Sequence, residues 1–150
     1  MSQSQQDPYP MSMFAQLAVS DVERSAEWYE SVLGFEINYS MPMIASVRYR
    51  KYADLMLVDE TTSIRTDLSK ATNRGQGVSI YFIAEDESAD EIATRAEKHD
   101  AEITHGPEET TWNTREVVIT DPDGYELVFS ERLEKDGTIE EVMESQPQTQ

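Results

Sequence analysis

The 150-residue chain contains no cysteine, which excludes disulfides, a thiol nucleophile and any thiolate metal site. No apolar run approaches the ~20 residues of a membrane-spanning helix. The opening residues, Met1-Ser2-Gln3-Ser4-Gln5-Gln6-Asp7, lack the basic start and apolar middle of a secretion signal. A cytoplasmic location, with no membrane partner, is the expectation. Basic residues are also scarce: 12 Lys and Arg stand against 30 Asp and Glu, for a net charge of −18. A surface of that sign repels nucleic acid and anionic lipid, so a nucleic-acid partner is not expected. Only two histidines are present. His99 falls near a predicted helix C-terminus, where the dipole favours its cation. His105 precedes Gly106-Pro107 in a predicted turn, so neither histidine is a cleft-facing strand residue.

The acid is distributed along the chain, from Glu23, Glu27 and Glu30 to Glu140 and Glu141. Two explanations remain open. Acid can serve a cationic partner, or it can suit a high-salt cytoplasm, where screening contracts to about 3 Å at molar salt. Arginines outnumber lysines, eight to four. At this length a single domain is expected, burying roughly 70% of its unfolded surface.

An internal echo organises the chain. Phe14-Ala15-Gln16-Leu17-Ala18-Val19-Ser20-Asp21 and Ser79-Ile80-Tyr81-Phe82-Ile83-Ala84-Glu85-Asp86 each form a strand pattern followed by a helical stretch and a second strand. In the first half, Asp21 is a natural N-cap. Val22, Ala26, Tyr29 and Leu33 form one stripe at helical spacing, and Gly34 stands where a helix-ending glycine would. Phe35, Ile37, Tyr39 and Met41 alternate as one strand face, and Ser46–Lys51 with Asp54–Val58 reads as a hairpin. In the second half, Ser88 and Glu91 make a capping box for a helix to about His99. A short strand over Glu102–Thr104 follows, then a turn at Gly106-Pro107. Strands over Arg115–Thr120 and Tyr125–Phe129 are joined by Asp121-Pro122-Asp123-Gly124, a strong turn sequence. The pattern predicts an α+β fold: two βαβββ modules forming a curved eight-stranded mixed sheet around a cleft, with the helices on its outer face. The modules span 13–59 and 77–131, joined by a linker at 60–76. A disordered arm is expected over 1–12 and an acidic tail over 132–150.

Alternation sorts four strands into two faces. Ala15, Leu17, Val19, Leu55, Leu57, Val78, Ile80, Phe82, Leu127 and Phe129 are all apolar and are assigned to the face beneath the helices. The opposite set mixes Phe14, Gln16, Ala18, Asp54, Met56, Val58, Ser79, Tyr81, Ile83, Glu126, Val128 and Ser130. Apolar walls with a few polar groups describe a small-molecule site; a simply wet face, or one covered by a dimer partner, is the alternative. Trp112, just before the seventh strand, offers a surface for stacking a planar ligand, or else a rim or dimer contact.

The run Val19-Ser20-Asp21-Val22-Glu23-Arg24-Ser25, with Trp28-Tyr29 and Leu33-Gly34-Phe35, resembles the first module of the vicinal-oxygen-chelate superfamily. That group includes glyoxalase I, extradiol dioxygenases and bleomycin-resistance proteins. Asp121-Pro122-Asp123-Gly124-Tyr125-Glu126-Leu127 resembles its closing hairpin. The resemblance spans roughly residues 13–131. It implies that the metal-binding members' four ligand positions fall on Phe14, Met56, Ser79 and Val128. Phenylalanine and valine cannot coordinate, and serine and thioether are poor ligands for such ions. No metal and no other cofactor is therefore expected.

The leading expectation is a metal-independent protein that binds or sequesters a small molecule in the cleft. Phe14, Gln16, Met56, Ser79, Tyr81, Trp112 and Val128 line the site. A lyase or oxygenase is the alternative, with Asp54 and Glu126 acting as an acid/base pair or holding a displaced metal. A structural or regulatory module is a third. Exposed sheet edges, and the resemblance itself, imply a homodimer.

Overall fold

The computed structural model describes residues 11–61 and 77–133. Most of the expected disordered arm, most of the linker and most of the acidic tail lie outside them. The elements in chain order are β1 (Ala15–Val19), α1 (Val22–Leu33), β2 (Glu36–Ser40), β3 (Ile44–Tyr49), β4 (Ala53–Asp59), β5 (Ser79–Ile83), α2 (Ala89–Lys98), β6 (Glu102–Glu109), β7 (Thr114–Thr120) and β8 (Glu126–Arg132). The strands form two four-stranded mixed sheets, ordered β1-β4-β3-β2 and β5-β8-β7-β6, where the sequence suggested one sheet of eight. The duplicated plan is thus present as two units of like topology, each with a single parallel pair: β1 with β4 and β5 with β8. A parallel pair needs a long crossover, which the helix and the intervening hairpin supply.

Among the described residues, unit 1 comprises 11–61 together with 122–125. Asp21 caps α1 from an extended backbone, and its Oδ1 accepts the Arg24 N–H at 3.1 Å. Gly34 ends the helix at φ 74°. There Gly34 N donates to the Glu30 carbonyl and Phe35 N to the Tyr29 carbonyl, both at 3.1 Å, satisfying carbonyls the last turn would leave open. The stripe Val22, Ala26, Tyr29 and Leu33 is buried, as are Leu17, Val19, Ala45, Val47, Leu55 and Leu57 on the sheet face that α1 covers. Tyr29, Phe35 and Tyr49 continue this core with ring centroids 5.2 and 5.4 Å apart.

The 122–125 turn belongs to this unit because its side chains are fastened there. Asp123 Oδ1 accepts the Ser20 N–H at 3.0 Å, and its Oδ2 accepts the Ser25 hydroxyl at 3.4 Å. Tyr125 donates its hydroxyl proton to the Ala18 carbonyl at 2.9 Å. The tetrapeptide is therefore more than a turn. Its second aspartate sits at the N-terminus of α1, where negative charge is favoured.

Among the described residues, unit 2 comprises 77–121 and 126–133. Its helix opens with the expected capping box: Glu91 N donates to Ser88 Oγ at 3.0 Å and Ser88 N to Glu91 Oε1 at 2.8 Å. Ile92, Ala93 and Ala96 are buried with Phe82, Val117, Ile119, Leu127 and Phe129, and Phe82 stacks on Phe129 at 5.1 Å.

Three expectations are corrected. Phe35, Ile37, Tyr39 and Met41 do not share one face. Ile37 pairs with Val47 but Tyr39 with Ser46, so Asn38 is an inserted residue, and a β-bulge of this kind moves the following side chains across the sheet. Gly106-Pro107 does not turn the chain, and His105 is not in a turn. Both lie inside β6, an eight-residue edge strand with two register irregularities against β7, and the Gly106–Pro107 peptide is cis. The register irregularities blunt this edge against unwanted pairing. Val78 precedes β5 and is exposed rather than buried beneath a helix. Among the described residues no helix is long and apolar enough to cross a membrane.

Candidate functional site

In each unit one sheet face lies under the helix and the other does not. The helix-free faces carry the site residues named from sequence, and each face holds a buried charged side chain that the sequence did not single out.

In unit 1, β3 alternates Ala45, Val47 and Tyr49 under α1 with Ile44, Ser46 and Arg48 on the free side. Register places Arg48 opposite Asp54, Ser46 opposite Met56 and Ile44 opposite Val58, while Gln16 pairs with Met56. Arg48 is only 8% exposed. It grips Asp54 with both ends of its fork, Nε to Oδ1 at 2.6 Å and Nη2 to Oδ2 at 3.0 Å. This bidentate contact is the strong form of the charged hydrogen bond. It is the main cause holding the Arg48 pKa above its ordinary value, with further support from the charges of Asp54 and Glu36 against the opposing effect of burial. Asn38 donates to Ser46 Oγ at 3.0 Å, extending the polar strip to β2. Phe14 stands just before β1 and is exposed; Gln16 is exposed and Met56 half-buried.

In unit 2, register places Ser79 opposite Glu126, Tyr81 opposite Val128 and Ile83 opposite Ser130. On β7 it places Glu116 opposite Ser130, Val118 opposite Val128 and Thr120 opposite Glu126. Ser79 Oγ donates to Glu126 Oε2. Glu116 is 9% exposed. Three neutral donors converge on its Oε2: Ser130 Oγ at 2.8 Å, Thr114 Oγ1 at 3.0 Å and, more weakly, Trp112 Nε1 at 3.3 Å. Tyr81 has a raised pKa, first through desolvation and then through the negative charges of Glu116 and Glu126, so these three groups feel one another. Tyr81 and Ile83 are 57% and 55% exposed and Trp112 41%, an unusual amount of apolar surface for a strand face to leave open.

Within unit 1 the structure therefore gathers Gln16, Asp54 and Met56, and within unit 2 Ser79, Tyr81, Glu126, Val128 and Trp112. Val128 is buried among its neighbours and offers backbone and bulk rather than an exposed wall. Trp112 and Arg115, three positions apart in sequence, part company. Trp112 bonds to Glu116, whereas Arg115 turns to the helix side and pairs with Asp90 of α2 through Nε at 2.8 Å and Nη2 at 3.1 Å.

Arg48 and Glu116 were missed because faces were assigned on β1, β4, β5 and β8 alone. The alternation Ser46-Val47-Arg48 and Glu116-Val117-Val118 carried the information. A charged residue one step from a buried valine, on a central strand, has to reside on the other face.

Phe14, Met56, Ser79 and Val128 do not make a ligand set for a divalent cation, and Ser79 spends its proton on Glu126. Among the described residues no three His, Cys, Asp or Glu side chains are grouped as a metal ion would require.

The family model of the Glyoxalase/Bleomycin resistance protein/Dioxygenase superfamily matches residues 12–129. Among solved structures, a lactoylglutathione lyase from Agrobacterium tumefaciens is 23% identical, with a TM-score of 0.63 over 82% of this chain and 95% of that one. A glyoxalase/bleomycin resistance protein/dioxygenase from Nocardioides is 21% identical, with a TM-score of 0.65 over 89% and 91%. TioX from Micromonospora sp. ML1 is 18% identical, with a TM-score of 0.64 over 81% and 99%. At these identities the likeness is one of fold.

Proposed function

Because the chain belongs to the Glyoxalase/Bleomycin resistance protein/Dioxygenase superfamily, we propose that it binds a small organic molecule without a metal ion and holds it unaltered. The ligand rests on the helix-free strand face of unit 2. The observation that carries this reading is the pairing of open apolar surface at Tyr81, Ile83 and Trp112 with the hydrogen-bonded carboxylate of Glu116. Apolar contact supplies affinity, and a few fixed polar groups supply orientation. The side chains at Phe14, Met56, Ser79 and Val128 support metal independence by their chemistry.

The lyase or oxygenase reading asks Asp54 and Glu126 to move protons. Asp54 would first have to release a bidentate arginine, and Glu126 a serine hydroxyl. Sequestration asks neither. The proposal includes a cytoplasmic homodimer whose acidic surface, at net −18, suits high salt.

Native mass spectrometry of the freshly isolated full-length protein is the test. The expected result is a dimer mass plus an organic adduct recovered unchanged after denaturation. Near-stoichiometric Mn, Fe, Ni or Zn by elemental analysis, or an adduct recovered as a transformed product, would overturn the reading. The substitution Ser79→Trp should eliminate the adduct while leaving the far-UV spectrum unaltered.

A further inference from the structure

Glu116 poses a physical problem. Burying a carboxylate is costly, and the usual remedy is a cationic partner. None of the side-chain hydrogen bonds that Glu116 accepts comes from Lys, Arg or His; its donors are Ser130, Thr114 and Trp112. All three bind the same oxygen, Oε2. The other oxygen, Oε1, accepts nothing among the described residues, and it is not sealed from solvent. The buried side-chain polar atom left without a partner among those residues is Asn113 Oδ1. The carboxylate is therefore fixed by one oxygen and presents the other.

Four donors of this face are spent in the same direction. The Ser130 and Thr114 hydroxyls and the Trp112 indole N–H point at Glu116, and the Ser79 hydroxyl points at Glu126. The nearest guanidinium in sequence, Arg115, is held by Asp90 on the helix side. What the face offers a ligand is thus mainly acceptor oxygen, flanked by exposed aromatic rings. The Trp112 ring is tied to the carboxylate itself, and Tyr81 lies within the field of both Glu116 and Glu126. An anionic ligand finds two negative charges, which the Tyr81 hydroxyl, a neutral donor beside them, does not offset. A cationic nitrogen finds a fixed carboxylate oxygen and the ring faces that attract cations.

On the premise that the helix-free face binds a small molecule, we propose that this molecule carries a protonated nitrogen (a primary ammonium, amidinium or guanidinium). Glu116 Oε1 accepts its proton, and the rings of Trp112 and Tyr81 flank it. Ser130 and Thr114 are positioning residues: they hold the carboxylate and do not themselves reach the ligand.

The test is a titration of the full-length protein with three probes sharing one ring: benzylamine, benzyl alcohol and benzoate. The Trp112 indole N–H is followed by ¹H–¹⁵N correlation, its signal assigned by Trp28→Phe. Benzylamine should shift that signal saturably, benzyl alcohol should bind at least tenfold more weakly, and benzoate should leave the signal in place. Glu116→Gln should bring benzylamine down to the level of benzyl alcohol, a loss of about tenfold or more, as removal of one member of a desolvated charge pair does. Tyr81→Leu, at an exposed position that tolerates substitution, should weaken benzylamine as well, so the proposal does not depend on one variant folding. Equal binding of the three probes, or a charge preference that survives Glu116→Gln, would overturn the charge assignment while leaving small-molecule binding intact. A signal unmoved by any probe would overturn the inference. The binding reading itself then stands or falls by the native adduct mass.

Discussion

The pair Arg48–Asp54 permits the most demanding test of the structure. Its two side chains retain 10% and 14% of their exposure, and the guanidinium meets the carboxylate in a fork. Breaking a fully buried pair by deleting one partner costs ~3–5 kcal/mol, because the survivor is left charged and unpaired. The residual exposure here lowers the expectation to ~2–4 kcal/mol for Arg48→Met. Glu36, opposite Arg48 on β2, places a second negative charge near the orphaned Asp54 and pushes the value toward the upper end. With a urea slope of ~2 kcal/mol per molar for a chain of this size, the midpoint should fall by ~1–2 M at constant slope. Asp54→Leu should show a loss of similar size. The double variant, Arg48→Met with Asp54→Leu, removes both charges from a face that already holds Met56 and Val58. It should lie within ~1 kcal/mol of the parent, a coupling of at least ~2 kcal/mol. If the double variant lost the sum of the two singles, the pair would not be the interaction described.

Other outcomes follow from the same coordinates. Asp123→Ala should cost ~1–3 kcal/mol, since it removes a charged acceptor from Ser20 N and a partner from the buried Ser25 hydroxyl; Asp123→Asn should cost less, and equal losses in thermal melts would refute the role of its charge. Gly106→Ala should disrupt β6, because φ is +77° and a Cβ there would collide with the Glu116 carbonyl oxygen; a loss under ~1 kcal/mol in urea unfolding would contradict the close approach. Arg115 depresses the Asp90 pKa below its ordinary 3.8, chiefly through the hydrogen bond. The folded state therefore binds fewer protons than the unfolded state in that range, and the contribution is present above pH 3.8 and lost as pH falls through the lower folded value. Acid unfolding of Arg115→Gln should lack that increment, and an unchanged acid limb would count against the pair. With a net charge of −18, the melting temperature should rise between 0.1 and 2 M KCl as self-repulsion is screened; a flat response would remove the case for high-salt adaptation.

How much of this was legible beforehand depended on whether a feature was local. The helix ends were, because Asp21, Gly34, Ser88 and Glu91 act within four residues of themselves through groups every helix leaves open. So was the buried stripe Val22, Ala26, Tyr29 and Leu33, because side-chain direction follows backbone period. The irregular edges were not. The insertion at Asn38 and the passage of β6 through Gly106-Pro107 depend on which partner strand lies alongside, and register is not written in one strand alone. The open strand faces were half legible: Gln16, Ser79, Tyr81 and Glu126 were named, while Arg48 and Glu116 were passed over on strands whose faces had not been assigned.

The chain by itself thus determined two α+β modules and their helix boundaries, since each follows from periodicity or from groups local to a helix end. Tertiary structure alone decided that the eight strands part into two sheets and that Asp123 fastens itself to Ser20 and Ser25. It also decided that Glu116 is held by three neutral donors with one oxygen left over. Asp123 reaches Ser20 across 103 positions and Ser130 reaches Glu116 across 14, and contacts of that reach exist only once the backbone has been folded back on itself.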